Sequence, residues 1–422
     1  MPTVLSPNPA GLPRTRAWWQ RACAVAPGGT HTISKRVGQF APADVFPAFL
    51  NKGHGAIVTD PDGNDYIDYI AALAPIILGY NHPEVNAAIR AQLDDGILFS
   101  LPGTLEVELA EKLCAIIPCA ERVRLLKTGA EATAAAVRAA RLVTGRGKVL
   151  TCGYHGWHDW WAITTKTGGI PPELAGYSID FPFGDTAAFE RKFTENKNEL
   201  AAVILTPALY GTHPPAGFLE TIRSCTAAAK IPLIFDEIIT GFRWSLGGAQ
   251  ARYGVTPDLA CFGKSMANGM PISALVGRAE WMDPIENNWI SSTYSGELLS
   301  IRASLATIDV LSRDGFYPAL HATARALHDG LVAITRRTGV RLTHGDAVPA
   351  VVFQPLVPRL SLAEIQTIVL SHAARHGVLL RRDPKGISLC LMAAHTPEQI
   401  AHTLAVIEEA CGLLLAAPAA RP

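Results

Sequence analysis

The chain has 422 residues, 49% of them hydrophobic, and its 37 basic and 37 acidic side chains cancel to a formal net charge of zero. Balanced charge argues against nucleic acid or a membrane surface as the main partner, because both select basic patches. The lack of a long apolar run, of a signal-peptide core at the start and of any CxxC pair among the 8 cysteines sets the expectation of a globular protein of the reduced cytoplasm.

Residues 1–16 are rich in Pro and are expected to be loose. A helix is predicted over Trp18–Ala24, stopped by Pro27-Gly28-Gly29. Ala56–Tyr69 (AIVTDPDGNDYIDY) alternates apolar and polar residues on both sides of Asp-Gly, a hairpin signal. From about Leu73 to Ile308, short apolar runs alternate with helical patterns. The candidate strands are Val123–Leu126, Val149–Cys152, Ala202–Leu205, Leu233–Phe235, Leu259–Phe262 and Ala274–Val276. Several are apolar throughout, as in a parallel sheet covered on both faces. Beyond Arg313 the pattern predicts a helix over Tyr317–Gly339, a strand over Val348–Phe353, a helix over Leu362–Gly377 and a strand over Ile387–Met392. A last helix, Pro397–Leu415, precedes an Ala/Pro tail expected to be disordered. The fold class is therefore α/β: a large domain over residues 71–312 with a mainly parallel sheet, and a smaller α+β domain over 313–422. Residues 1–70 form an N-terminal segment expected to pack with the small domain.

The chemistry concentrates between Leu233 and Lys264. LIFD is a buried strand that delivers Asp236 at its C-terminal end, and LACFGK delivers Lys264 just after a glycine. One Asp and one Lys presented from two strand ends is the arrangement pyridoxal phosphate chemistry requires. The amine forms an imine with the cofactor aldehyde, and the aspartate keeps the pyridine nitrogen protonated. A strand-end Asp can instead cap a turn, and most lysines are solvated, but a lysine between an apolar strand and SMANGMP is poorly placed to be surface decoration.

Upstream, LLKTGAEATAAAVRAARLVTG joins a strand to a helix that Gly145 stops. The first turn, at Thr128, Gly129 and Ala130, offers backbone N–H groups and the positive dipole end to a phosphate. In GYHGWHD, Tyr154 suits the face of a flat ring, with His155 beside it. His155 and His158 lack a third ligand at suitable spacing, so no metal is expected. Trp160 and Trp161 read as core, and Arg243 as a structural ion-pair residue. Arg381-Arg382 is either a solvated basic turn or a fork for a substrate carboxylate or phosphate. Lys35, with His31 and Arg36, is a further candidate for a basic substrate pocket.

With these residues in view, the chain resembles the class III aminotransferases of fold type I, and within them the glutamate-1-semialdehyde aminomutase-like branch. The carriers are Pro27-Gly28-Gly29, DPDGNDYIDY, LGYNHPEV, TGAEAT, YHGWHD, DEIITGFR, PDLACFGKSMANGMP and STYSG, spread over about Arg21 to Leu413. The resemblance implies Lys264 as Schiff-base lysine and general base, Asp236 on the pyridine nitrogen, and Thr128, Gly129 and Ala130 on the phosphate. It implies Tyr154 and Ile238 on the two ring faces, and Thr293 reaching the neighbouring subunit's cofactor in a homodimer with shared active sites. Amino donor and carbonyl acceptor would then exchange by a ping-pong mechanism, with a pyridoxal-phosphate-dependent aminomutase or racemase as the alternative.

The departures fall on substrate-facing positions. Ala130 replaces a family Thr, Thr206 a Glu and Glu297-Leu298 an Asn-Pro, while Leu73 replaces the Trp of the aminomutase's early loop and RRDPKG its acidic, Ser-rich turn. Glutamate-1-semialdehyde is therefore not the expected substrate. A nicotinamide-dependent dehydrogenase is disfavoured because no GxGxxG follows a predicted strand. A non-catalytic relative is disfavoured by retention of Asp236 and Lys264 together.

Overall fold

A computed structural model describes residues 12–40, 42, 45–165, 168–209 and 211–418. The chain divides into two compact units: Met1–His82, Tyr210–Thr212 and Gly315–Pro422 form one, and Pro83–Leu209 with His213–Asp314 form the other.

The second unit is built on a seven-stranded sheet. Its order is Arg122–Leu126, Ser273–Gly277, Leu259–Phe262, Leu233–Asp236, Leu200–Leu205, Lys148–Cys152, Ser178–Asp180. Every neighbouring pair is parallel except those made by Ser273–Gly277, which runs against both its partners. All residues of Leu200–Leu205, Leu233–Asp236, Leu259–Phe262 and Ser273–Gly277 are buried, which is why their sequences are apolar without alternation. The Gly129–Thr144 helix lies on this sheet through Ala132, Ala135, Ala136, Ala139 and Ala140, whose small side chains allow close approach. Val137 joins that face, whereas Ala134 and Arg141 are only partly buried. Gly145 ends the helix in the left-handed conformation (φ 66°), as expected.

The first unit carries two four-stranded sheets. In one, the expected hairpin pairs Ile57–Thr59 with Asp65–Asp68, and Val378–Leu379 adds a parallel strand to Asp65–Asp68. In the other, Arg341–His344, Ala350–Leu356, Gly386–Cys390 and Arg381–Asp383 form an antiparallel sheet. Arg381-Arg382 therefore belongs to a strand, not to a turn: the turn lies at Pro384-Lys385, where proline cannot donate to a ladder. The first helix runs Pro13–Val25, longer than expected, with Pro13 in its first turn where a missing N–H is harmless. The supposed loose stretch thus ends before Pro13; residues 1–11 and the last four of the tail lie outside the described residues. Among the described residues Pro397–Ala416 alone is long and apolar enough to cross a membrane, but Ile400, Val406, Ile407, Ala410 and Leu414 are buried within the protein.

Candidate active site

Asp236 closes the Leu233–Asp236 strand and is 5% exposed. Its Oδ1 accepts the Ile238 N–H at 3.1 Å, and its Oδ2 lies 2.7 Å from His155 Nδ1. His155 is buried between Trp160, stacked at 6.3 Å, and Trp161, edge-on at 6.0 Å. Its own carbonyl accepts the Thr133 hydroxyl at 2.7 Å, so the Gly129–Thr144 helix holds the histidine in register with the carboxylate. This second half of the Asp236 site, Thr133 to His155 to Asp236, is an 81-residue span between the ring and its acid, and no local sequence pattern announces it.

Thr128 caps the Gly129–Thr144 helix. Its hydroxyl accepts the Glu131 N–H, and the Glu131 carboxylate accepts the N–H groups of Lys127 and Thr128 at 2.9 and 2.8 Å. This capping box was readable as Thr-x-x-Glu. It leaves the Gly129 and Ala130 amides at the positive helix end without an intrahelical acceptor, and leaves the Thr128 hydroxyl hydrogen to donate. Ser273 Oγ donates to the Thr128 carbonyl at 2.8 Å and ties this turn to the sheet.

Thr128, Gly129, Ala130, Tyr154, His155, Asp236, Ile238 and Lys264 line one cavity of about 260 Å³, together with Thr206. Lys264 is partly buried and opens a short 3-10 turn after Gly263, with φ 37° in the left-handed region. The Tyr154 ring is 68% exposed and meets Trp161 edge-on at 4.9 Å. Two glycines make room for Ile238: a Cβ at Gly129 or Gly263 would come within 3.1 or 3.2 Å of its side chain. Gly156 (φ +106°) packs on Ala130, where a Cβ would meet the alanine methyl at 2.6 Å. Ala130 in place of a larger residue is therefore coupled to the backbone of the Tyr154–Gly156 turn.

The remaining candidates lie elsewhere. Thr293 is exposed on a turn and does not line the cavity. Lys35 lines a cavity of about 450 Å³ in the first unit with Phe40, Phe46, Asp68 and Tyr80. Arg382 donates to the Phe40 carbonyl at 2.7 Å and the Thr367 hydroxyl at 2.8 Å, so its guanidinium is engaged within that unit, and Arg381 lies beside it on the strand. Arg243 is wholly buried.

Two further acids are engaged in structure: Glu297, expected to face substrate, does not line the cavity, and Glu237 was not singled out in the sequence. Glu297 accepts the Leu299 N–H at 2.7 Å and the Ser300 hydroxyl at 2.5 Å, capping the Leu298–Leu311 helix, and pairs with Lys127 at 2.9 Å. Burial raises its pKa, but the Ser300 hydroxyl, Lys127 and the Leu299 N–H outweigh that and hold it below the usual range. Glu237 is fully buried, and burial pushes its carboxyl up although Thr240, Ala249 and Gln250 all donate to it.

A family profile for class-III aminotransferases matches residues 40–410. The chain belongs to the class-III aminotransferase family. A 3-aminobutyryl-CoA aminotransferase of Cloacimonas acidaminovorans (strain Evry) is 37% identical over 407 residues, 94% of this chain and 96% of that protein. A glutamate-1-semialdehyde 2,1-aminomutase of Pelotomaculum thermopropionicum is 40% identical over 357 residues, 80% of this chain and 81% of the other. The FumI protein of Sphingopyxis sp. MTA144, solved in its PLP internal aldimine form, superposes with a TM-score of 0.88 at 28% identity, covering 96% of this chain and 97% of that one. The expected fold and family are thus borne out, and with them pyridoxal 5′-phosphate as the cofactor. The cavity fits it: a buried carboxylate for the ring nitrogen, free amides at a helix start for the phosphate, an exposed ring, and a lysine.

Proposed function

We propose that this aminotransferase moves an amino group from an amino donor to a carbonyl acceptor in two half-reactions, with Lys264 as attachment point and proton carrier. The observation that carries the assignment of roles is the Asp236–His155 pair, 2.7 Å apart at a strand end, in the same cavity as Lys264 and the Gly129–Thr144 helix start. Bound pyridoxal phosphate supplies an electron sink and carries the amino group between half-reactions. Asp236 holds a proton at the ring nitrogen, and His155 and the Ile238 N–H hold Asp236. The Gly129 and Ala130 amides and the Thr128 hydroxyl take the phosphate. Tyr154 and Ile238 enclose the ring, which limits water. Lys264, once displaced, removes the proton from the donor carbon and returns it one position along. Lys264→Ala should lower turnover by at least about 10²–10⁴-fold, the range of a lost general base. Single-turnover assays and borohydride labelling would check this, and label on another residue would overturn the assignment.

Relatives named as aminomutases keep isomerisation as the second reading. Mixing purified enzyme with one amine distinguishes the two: a stoichiometric carbonyl product marks transfer, and an isomer without it marks a mutase. A homodimer is supported by Ile97, Leu98, Phe99 and Leu101, all exposed, beside the Thr293 turn through the Leu298 N–H to Ile97 carbonyl bond of 2.9 Å. Trp289 and Tyr294, on either side of Thr293 in sequence, are exposed as well. Sedimentation equilibrium tests it. The 8 free cysteines support a reducing, cytoplasmic location.

A further inference from the structure

Outside the amino-transfer site, one cluster of ligand-type side chains among the described residues has no role in the chemistry above. His372 stands in the last turn of the Leu362–Arg375 helix and His376 caps its end, four positions on, so both imidazoles share one face. Their ring centroids are 4.1 Å apart and their planes are inclined by 40°. The Pro397–Ala416 helix brings Glu409 to the same place, its Oε2 3.1 Å from His372 Nε2. One ligand atom from each of the three residues falls within 4.8 Å of the other two.

We propose that His372, His376 and Glu409 form a binding site for a divalent transition-metal ion, of which Zn²⁺ is the type, bridging the last two long helices. Two imidazole nitrogens with one carboxylate oxygen suit borderline cations better than Mg²⁺ or Ca²⁺, which prefer oxygen throughout. Tetrahedral bonds of about 2.0–2.1 Å place neighbouring ligand atoms roughly 3.3 Å apart. The His372–Glu409 separation of 3.1 Å already matches, and the His376 ligand atom lies within 4.8 Å of both.

The surroundings support ligation. His376 Nδ1 lies 2.8 Å from the His372 carbonyl, which can only accept, so Nδ1 carries the proton and Nε2 keeps its lone pair. A backbone carbonyl on the non-ligating nitrogen is the arrangement that orients metal-binding histidines. The His376 carbonyl in turn accepts from His402 Nε2 at 2.9 Å, which steadies the end of the helix. Glu408 is committed to Arg337 at 2.7 Å, so Glu409, already beside His372, is the carboxylate placed for the ion, and Arg375 is the nearby opposing charge. A simple His372–Glu409 ion pair accounts for two of the residues but not for His376 facing the same point. Three protein ligands leave a fourth position for water.

The test uses tag-free holoenzyme, stripped with chelator and then titrated with ZnCl₂ by calorimetry and with Co²⁺ by visible absorption. One ion per chain should bind, with a tetrahedral Co²⁺ spectrum and a raised thermal midpoint, because an ion that binds only the folded state stabilises it. His376→Ala and Glu409→Gln should each weaken binding by at least about tenfold and abolish the thermal shift while amino transfer is unchanged. Glu409 is exposed, so its variant folds even if a histidine variant does not. Equal stoichiometry and affinity in wild type and Glu409→Gln, or an octahedral Co²⁺ spectrum, would overturn the proposal.

Discussion

The Leu233–Asp236 strand and the Asp65–Asp68 strand both end in a buried aspartate followed two residues on by isoleucine. In both, the carboxylate turns back to accept that isoleucine's N–H, at 3.1 Å for Ile238 and 2.7 Å for Ile70. The ring partners differ. Asp236 meets His155 Nδ1 at 2.7 Å, whereas Asp68 accepts the Tyr80 hydroxyl at 2.5 Å and the amides of Ala71 and Ala72. A histidine can share charge and protons with its acid, so Asp236 is suited to a cofactor's ring nitrogen. Toward Asp68 the Tyr80 hydroxyl and the backbone amides all act as donors, so Asp68 is suited to holding a loop. The loop it holds is unusual: Ala71, Ala72, Leu73 and Ala74 are all left-handed, with φ of 50°, 54°, 74° and 78°. For alanine or leucine that conformation costs about 1–2 kcal/mol per residue, and the amides gathered on Asp68 offset it.

The sharpest break of this comparison is in kinetics. Asp236→Asn should lower kcat by about 10²–10³-fold, as expected when a fixed charge at the reacting system is removed. Asp68→Asn should act on stability, costing about 1–3 kcal/mol in urea unfolding because donors facing Asp68 lose an acceptor. A kcat loss for Asp68→Asn as large as that for Asp236→Asn would erase the distinction.

Acid titration sharpens it further. Burial raises the Asp68 carboxyl above its usual 3.8, so its contribution to stability is complete below that value and fades as pH rises through its folded-state pKa. Glu297 has the opposite sign. Its folded pKa is below 4.5, so its contribution is present above that pH and is lost as pH falls through the folded value. The deficit of Glu297→Gln should therefore hold from about pH 7 to about pH 4.5 and shrink below that, whereas that of Asp68→Asn should grow as pH falls toward about 4, in urea midpoints measured across the range.

The smallest effect expected is a gain. Ala72 is partly buried with φ 54°, and glycine adopts that conformation without the Cβ clash. Ala72→Gly should stabilise by about 0.5–1 kcal/mol, the left-handed penalty less glycine's entropy, read as a raised urea midpoint.

Much of the framework was legible because its signals are local. Apolar runs located the strands at Leu200–Leu205, Leu233–Asp236 and Leu259–Phe262, Asp62-Gly63 located the hairpin turn, and Gly145 the end of a helix. Short strands such as Ser178–Asp180 and Arg341–His344 were missed because three or four residues of mixed polarity carry too little periodicity. Arg381-Arg382 read as a turn because charge and a following Pro suggest one, yet pairing with Gly386–Cys390 made it a strand.

What the sequence by itself determined is the set of groups: an aspartate and a lysine at the ends of apolar runs, a capped helix start, and an aromatic turn between them. Those follow from alternation, capping and composition within a few residues. The tertiary structure decided which strand-end aspartate received His155 and which received Tyr80, that Glu297 neutralises Lys127, and that two histidines and a glutamate meet across two helices. Such choices depend on contacts between segments tens to hundreds of residues apart, where packing of the whole core fixes the partner and local propensity carries no information.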